Sequence, residues 1–198
     1  MLELLEPRRG ATLLDVSCGS GFLLKAAHAL GLAAYGVDLS DAAVRLAHQV
    51  APESRVAVGA GEDLCFRNAS FDYVTCLGSL EHFLDIARGL QEMLRVAKPG
   101  AQFCIMVPNR DFAGWKLLGH QGTAQQDINE RLLSLAEWRR VFEQQGLRVR
   151  QVQYRTLKFV PFSGRRPKLI RAIGLNIRQT TIGDERWTRL GSVGLPLS

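Results

Sequence analysis

The residues whose types and spacing could do chemistry fall in three places: the glycines Gly19 and Gly21 in "LLDVSCGSG", the acidic Asp38 seventeen residues further on, and the adjacent Glu81 and His82 in "LEHF". A glycine pair after a buried apolar run lets a ligand approach the backbone, and a helix that starts there offers unpaired N–H groups. The turn is not a phosphate-binding Walker loop, because no Gly-Lys-Ser/Thr follows. It also fails the dinucleotide pattern G-x-G-x-x-G, since Leu24 stands at the third glycine position. Taken alone, the pair also reads as a tight strand-to-helix turn with no ligand.

Asp38 ends "YGVDL", where an acid can accept hydrogen bonds from both hydroxyls of a ribose. The alternative is a carboxylate serving the next helix start, near Ser40. Together the turn and the acid favour a ligand that carries a nucleoside without requiring a diphosphate. His82 reads as a general base for a hydroxyl substrate, an imidazole titrating near 6.5 in water, or equally as a structural histidine at a helix start. His28, His48 and His120 read as helix-surface or loop residues.

These residues need elements to hold them, and the 198-residue chain supplies alternating ones. Strands are predicted at "TLLDVSC", "AAYGVDL", "RVAVGAG", "FDYVTCLG" and "AQFCIMVPN". Helices are predicted over "GFLLKAAHALGL", over "SDAAVRLAHQV" with Ser40 as N-cap, and over "DIARGLQEMLRVAK" up to Pro99-Gly100. Such alternation argues an α/β, Rossmann-like, doubly wound and mostly parallel sheet of six or seven strands with helices on both faces. After Pro108 the rhythm breaks. It returns with the helix "SLAEWRRVFEQQG", where Ser134 and Glu137 form a capping box and Gly146 marks the stop, and with the alternating strand "LRVRQVQYRTL". Neither "LNIRQTTI" nor "GSVGLPLS" makes a persuasive last strand.

One domain over 1–198 is expected. Residues 1–107 form the cofactor-binding half, 108–133 a substrate-side insertion, and 134–198 the late helix, strand and basic tail. Eleven Arg/Lys against Asp184 and Glu185 give residues 148–198 a charge of +9, so the remainder is slightly acidic at −3. That balance gives no strong nucleic-acid signal. In the tail, Arg166, Leu169, Ile170, Ile173 and Ile177 share one side of a helix. The segment reads as packing that closes the sheet, or as an amphipathic arm making weak contact with anionic lipid. The cysteines Cys18, Cys65, Cys76 and Cys104 form no C-x-x-C pair and read as free thiols of a reducing cytoplasm. No apolar run approaches membrane-spanning length, and "MLELLEPRRG" does not read as a secretion signal, so a cytoplasmic location is expected.

In this order, the segments resemble the class I S-adenosylmethionine-dependent methyltransferases, nearest the small-molecule, ubiquinone-biosynthesis-like branch (methyltransferase type 11). The resemblance covers about residues 10 to 155. "LLDVSCGSG" looks like motif I and "GVDLS" like motif II. "GAGEDLCFRNASFDYVTCLGSLEHF" resembles the next two motifs together, and "LRVAKPGAQFCIMVPN" the segment into strand five. It implies S-adenosyl-L-methionine as cofactor, S-adenosyl-L-homocysteine as product, and methyl transfer to a small-molecule O, N or C nucleophile.

The resemblance also implies site roles. Asp15 and the backbone of Ser17, Cys18, Gly19 and Gly21 would hold the amino-acid end of the cofactor. Asp38 would hold the ribose, with Leu39 against the adenine. Gly61 and Glu62 would meet the adenine edge, and Leu77 would pass under the methionine portion. Glu81 and His82 are the catalytic candidates. Ser17 departs from the usual first glycine, and Ala60 stands where Asp or Asn often binds the adenine amino group. Asp63 is either its substitute or a surface carboxylate. Gly78 replaces the first Glu of the Glu-x-x-Glu-His metal pattern, so no metal is expected. Motif I begins within thirteen residues of Met1, for which an open pocket, an oligomeric cover or an incomplete gene product is the expectation. The competing classes are an inactive methyltransferase-like partner module and a nicotinamide-dependent oxidoreductase.

Overall fold

The computed structural model describes residues 1–112, 130–159 and 168–179. Five parallel strands carry the architecture: β1 (Thr12–Val16), β2 (Ala33–Asp38), β3 (Arg55–Val58), β4 (Phe71–Leu77) and β5 (Ala97–Pro108), side by side in the order β3-β2-β1-β4-β5. Parallel neighbours require crossovers, and the described helices supply them: α1 (Phe22–Ala29), α2 (Asp41–Val50) and α3 (Ile86–Val96). The sheet order reverses at β1, which leads outward to β2 on one side and has β4 on the other. In open sheets of this kind a ligand crevice lies at such a reversal, outside the carboxyl ends of the strands.

Beyond β5 the sheet continues through β7 (Lys168–Gln179), antiparallel to β5. β7 pairs in turn with β6 (Leu147–Phe159). The helical reading of the basic tail is therefore overturned over residues 168–178. The apolar residues spaced at helical intervals lie on a strand, with Ile177 opposite Phe103 and Ile173 opposite Val107. The reason is local as well as tertiary. Gly174 and Asn176 disfavour helix, the isoleucines favour strand, and the β5 edge supplies the hydrogen-bonding partner. Arg165, Arg166 and "GSVGLPLS" lie outside the described residues, as do His120 and most of the 108–133 insertion.

Both faces of the sheet are covered. On one, α1 and a 3-10 turn at Leu2–Leu5 bury Leu24, Ala27, Leu2, Leu4 and Leu5 against Leu13, Tyr73 and Cys104. On the other, α3 and α4 (Leu135–Gln144) bury Leu90, Met93, Trp138 and Phe142 against Val74, Phe103 and Ile105. The Ser40 and Ser134 hydroxyls accept from the backbone N–H of Ala43 and Glu137, and the full capping box is present at Ser134. α3 ends at Val96, three residues before Pro99. Ala97 already pairs with Phe71, and the residue before a proline avoids the helical region.

At the amino edge of the sheet, away from the crevice, Asp72 ties three elements together. It accepts from the Thr12 backbone N–H at 2.9 Å and hydroxyl at 2.8 Å, and from Lys98 Nζ at 2.8 Å. Partial burial alone would push its carboxyl up. The donors from Lys98 and Thr12 outweigh this and hold it down at about 2. That stability is present above the ordinary carboxylate pKa and is lost as pH falls towards 2.

Candidate functional site

The turn between β1 and α1 is built from left-handed residues: Ser17, Gly19 and Gly21 have φ of 60°, 51° and 78°. A serine in that region costs about 1–2 kcal/mol relative to a glycine. The turn is stitched to β2 by Cys18 N–H donating to Val37 O at 3.0 Å, and it closes with Gly21 N–H donating to Cys18 O at 3.0 Å. α1 begins on Gly21 with no side-chain cap, which leaves its first N–H groups facing the crevice.

The two glycines serve different purposes. A Cβ on Gly19 would meet nothing within 4 Å, so its missing side chain leaves open space for a ligand. A Cβ on Gly21 would lie 3.0 Å from both Cα and Cβ of Ala47, so this glycine admits α2 against the turn. Gly21→Ala is therefore expected to destabilise the fold by about 2–4 kcal/mol, combining backbone strain with overpacking. Gly19→Ala is expected to cost only about 1 kcal/mol of stability, from φ alone, with its main loss in ligand affinity. Urea unfolding of both variants beside ligand titration separates the two roles.

Asp38, half-buried at the end of β2, spans the turn. Its Oδ2 accepts from Gly19 N–H at 2.8 Å and its Oδ1 from Ser40 N–H at 2.9 Å. A carboxylate has about four acceptor positions, so two remain for neighbouring hydroxyls. The ribose reading and the helix-start reading of Asp38 are thus compatible. Leu39 beside it is 77% exposed and Val58 at the end of β3 is also exposed, an apolar margin of the kind a flat ring packs against.

Asp15 is buried at 3% exposure in mid-strand β1, next to Thr75 on β4, whose hydroxyl donates to Asp15 Oδ1 at 2.6 Å. Burial raises its carboxyl to about 7. The Thr75 hydrogen bond opposes this, and the Asp38 charge adds to it. Cys18 beside the turn is pushed up to about 12, by burial first and then by Asp15 and Asp38. It is therefore a thiol, with no nucleophilic character at neutral pH. Cys76 and Cys104 are also buried, while Cys65 is exposed.

The far wall is one braced unit. The Phe83 ring fills the space left by two glycines: a Cβ on Gly61 would lie 2.3 Å from its Cζ, and one on Gly89 2.4 Å from its Cδ2. Glu62 Oε1 accepts from Leu84 N–H at 3.0 Å. Below it, Arg95 donates to the carbonyls of Leu64 and Phe66 at 2.8 Å each and pairs with Glu92 at 2.7 Å. These contacts fix the loop after β3 to the 3-10 turn Leu80–His82 and to α3. Asp63 is exposed and Ala60 half-buried. Leu77 is half-buried at the end of β4, followed by Gly78, whose N–H donates to Met106 O at 2.8 Å.

Glu81 and His82 follow directly. His82 is half-buried and its N–H donates to Ser79 O at 3.0 Å. Glu81 is 2% exposed, and among the described residues its Oε2 has no hydrogen-bond partner. Burial raises its carboxyl to about 8. Its own backbone N–H opposes this and Glu130 adds to it. Among the described residues, no group of three His, Cys, Asp or Glu side chains is arranged to hold a metal ion.

The structure thus brings Asp15, the Ser17–Gly21 turn, Asp38, Leu39, the Gly61–Glu62 loop, Leu77 and the Glu81–His82 pair to the carboxyl edge of one sheet. Sequence reasoning missed Thr75, Phe83 and the Glu92–Arg95 brace. Thr75 is sixty residues from Asp15, and only the β1–β4 register joins them. The glycines that Phe83 packs between, Gly61 and Gly89, are not its neighbours in the chain, so no local signal marks it.

A Rossmann-like parallel sheet thus carries the glycine turn after β1 and the acid ending β2 at one edge. The family profile described as methyltransferase domain matches residues 14–105. Over 107 residues the chain is 36% identical to the ubiquinone biosynthesis O-methyltransferase of Pseudomonas paraeruginosa, covering 52% of this chain and 46% of that protein. It spans about half the length of the curated relatives it matches. Among solved structures, the YcgJ protein from Bacillus subtilis is similar with a TM-score of 0.73 at 20% identity, covering 91% of this chain and 97% of that one. An S-adenosylmethionine-dependent methyltransferase from Mesorhizobium loti is similar at 0.68 and 16% identity, covering 90% and 95%. These two likenesses concern the fold.

Proposed function

We propose that the protein transfers a methyl group from S-adenosylmethionine to an O, N or C nucleophile of a small molecule. The observation that carries this reading is the Asp38 carboxylate, held across the open Gly19 turn with acceptor capacity to spare. The residues fit the cofactor. Open backbone at Gly19 and the exposed start of α1 suit its amino-acid end, Asp38 suits the ribose hydroxyls, and Leu39 suits the adenine face. Asp15 stands behind the turn as the acid nearest the amino-acid end. Gly61 and Glu62 border the adenine edge, and Leu77 lies beneath the methionine portion.

When bound, the sulfonium supplies an already activated methyl group. The protein's part is to align the acceptor in line with it and to exclude water, and such positioning can supply much of the barrier reduction. His82 takes the proton of a hydroxyl acceptor. Relatives named for ubiquinone biosynthesis direct the acceptor search first to phenolic hydroxyls. The antiparallel β6–β7 pair completes a seven-stranded sheet in this reading, residues 1–107 act as the cofactor half, and 108–133 cover the substrate. No helix among the described residues is long and apolar enough to cross a membrane, and a cytoplasmic site of action is proposed. Release of S-adenosylhomocysteine over a panel of phenols, amines and carbon acids tests the activity. Binding of the methyl donor without release from any acceptor would favour a partner module instead.

A further inference from the structure

Residues 83–85 tie the Leu80–His82 turn to two other parts of the fold at three consecutive positions. Phe83 is buried, and its ring lies where side chains at Gly61 and Gly89 would be. A Cβ on Gly61 would lie 2.3 Å from Cζ and 2.5 Å from Cε2, and one on Gly89 would lie 2.4 Å from Cδ2 and 2.7 Å from Cε2. Both glycines thus abut one edge of the ring and share its Cε2 corner. A rigid ring cannot leave one of them without changing its contact with the other. The same Cβ on Gly61 would also lie 3.1 Å from Cγ1 of Val16, the last residue of β1, so the loop has no room for a side chain there. One residue on, Leu84 N–H donates to Glu62 Oε1 at 3.0 Å. Next, Asp85 starts α3: its Oδ1 accepts from Arg88 N–H at 3.0 Å and its O from Gly89 N–H at 3.0 Å. Gly89 lies inside α3, where alanine ordinarily strengthens a helix. Its φ is not positive, so the backbone does not demand glycine at 89, and the ring does.

We propose that Phe83 is a positioning residue: seated on Gly61 and Gly89, its ring sets how the Gly61–Glu62 loop stands against the Leu80–His82 turn, and so fixes donor affinity and acceptor alignment together. The proposal rests on the methyltransferase reading, which puts the adenine edge of the donor at the loop and the acceptor's base on the turn. Phe83 acts through the backbone that it holds, with α3 as the fixed support behind it. Misplacement by about 1 Å can cost an alignment-driven reaction about a hundredfold. A ring displaced by one added methyl group at position 89 should therefore be felt in binding and in rate, although that methyl group lies on a helix outside the site.

The test compares the full chain with Phe83→Val, Gly89→Ala and the two combined. Valine lacks the Cδ2, Cε2 and Cζ atoms that face the glycines, and it suits the extended backbone of Phe83. Equilibrium binding of S-adenosylmethionine and single-turnover transfer at saturating donor are measured on folded protein, beside thermal unfolding. Each single variant should weaken donor binding and slow transfer by about tenfold, and the combined variant should recover most of both, the signature of two residues in contact. A ring that merely packs would lower the unfolding midpoint and leave both constants of the folded molecules within about twofold. That result, or a combined variant no better than the single ones, overturns the proposal and leaves the methyltransferase reading standing. Failure of the unaltered chain to bind the donor defeats that reading instead. The ring's hold on the loop is then judged by amide hydrogen exchange. Faster exchange at residues 60–62 in Gly89→Ala, reversed in the combined variant, supports it, and unchanged exchange there overturns it.

Discussion

Asp38→Ala is expected to weaken S-adenosylmethionine binding by about a hundredfold or more. Two hydrogen bonds from hydroxyls to a carboxylate contribute about 1.5 kcal/mol each at the low end, which already gives roughly that factor. The turn adds to the loss, since Gly19 N–H and Ser40 N–H both lose their acceptor. Asp38→Asn separates the contributions. Its amide oxygen can still accept one backbone N–H, but its nitrogen cannot accept a hydroxyl, so binding should fall nearly as far with the turn less disturbed. Thermal unfolding of both variants should show a folded domain, because the side chain lies at the rim and not in either core cluster. Equilibrium binding measures the outcome. Unchanged affinity in Asp38→Ala would remove the ribose assignment and with it the anchor of the proposed site.

The second large effect is expected in rate and not in binding. His82→Ala should lower turnover on a hydroxyl acceptor by about two to four orders of magnitude, the usual contribution of a positioned base. Donor affinity should barely move, because a general base acts on the acceptor's proton and not on the donor. Single-turnover measurements with saturating donor give the relevant constant. If the rate holds, proximity alone drives transfer and His82 is structural. The Phe83 brace makes the comparison informative. It holds the Leu80–His82 turn between Gly61 and Gly89, so removal of the imidazole leaves the backbone around it in place.

The same brace couples the two ends of the site. The loop carrying Gly61 and Glu62 is fixed through Phe83 and Leu84 N–H to the turn carrying Glu81 and His82. A ligand that settles against the loop therefore meets an acceptor side already positioned. Preorganisation of this kind is what an alignment-driven reaction needs.

Hydrophobic periodicity and local capping chemistry, which act over a few residues, determined much of this protein by themselves. The buried runs of β1, β2, β4 and β5, the Ser40 cap, the Ser134–Glu137 box and the glycine turn could all be read in order, because each is decided by neighbours in the chain. The expected site residues Asp15, Gly19 and Asp38 could be read for the same reason, since a turn after one strand and an acid ending the next are local features of a repeating unit. The tertiary structure alone decided what depended on distant partners. Residues 168–179 have helical spacing, yet the free edge of β5 makes them a strand. Gly21 looked like a place for a ligand, and Ala47 of α2 is what forbids a side chain there. Thr75 reaches Asp15 only because β1 and β4 pair in one register. Glu81 reads in the sequence as a catalytic candidate beside His82, and only the packed fold shows that its side chain is buried. Burial and charge environment are properties of packed neighbours, and no window of sequence contains them.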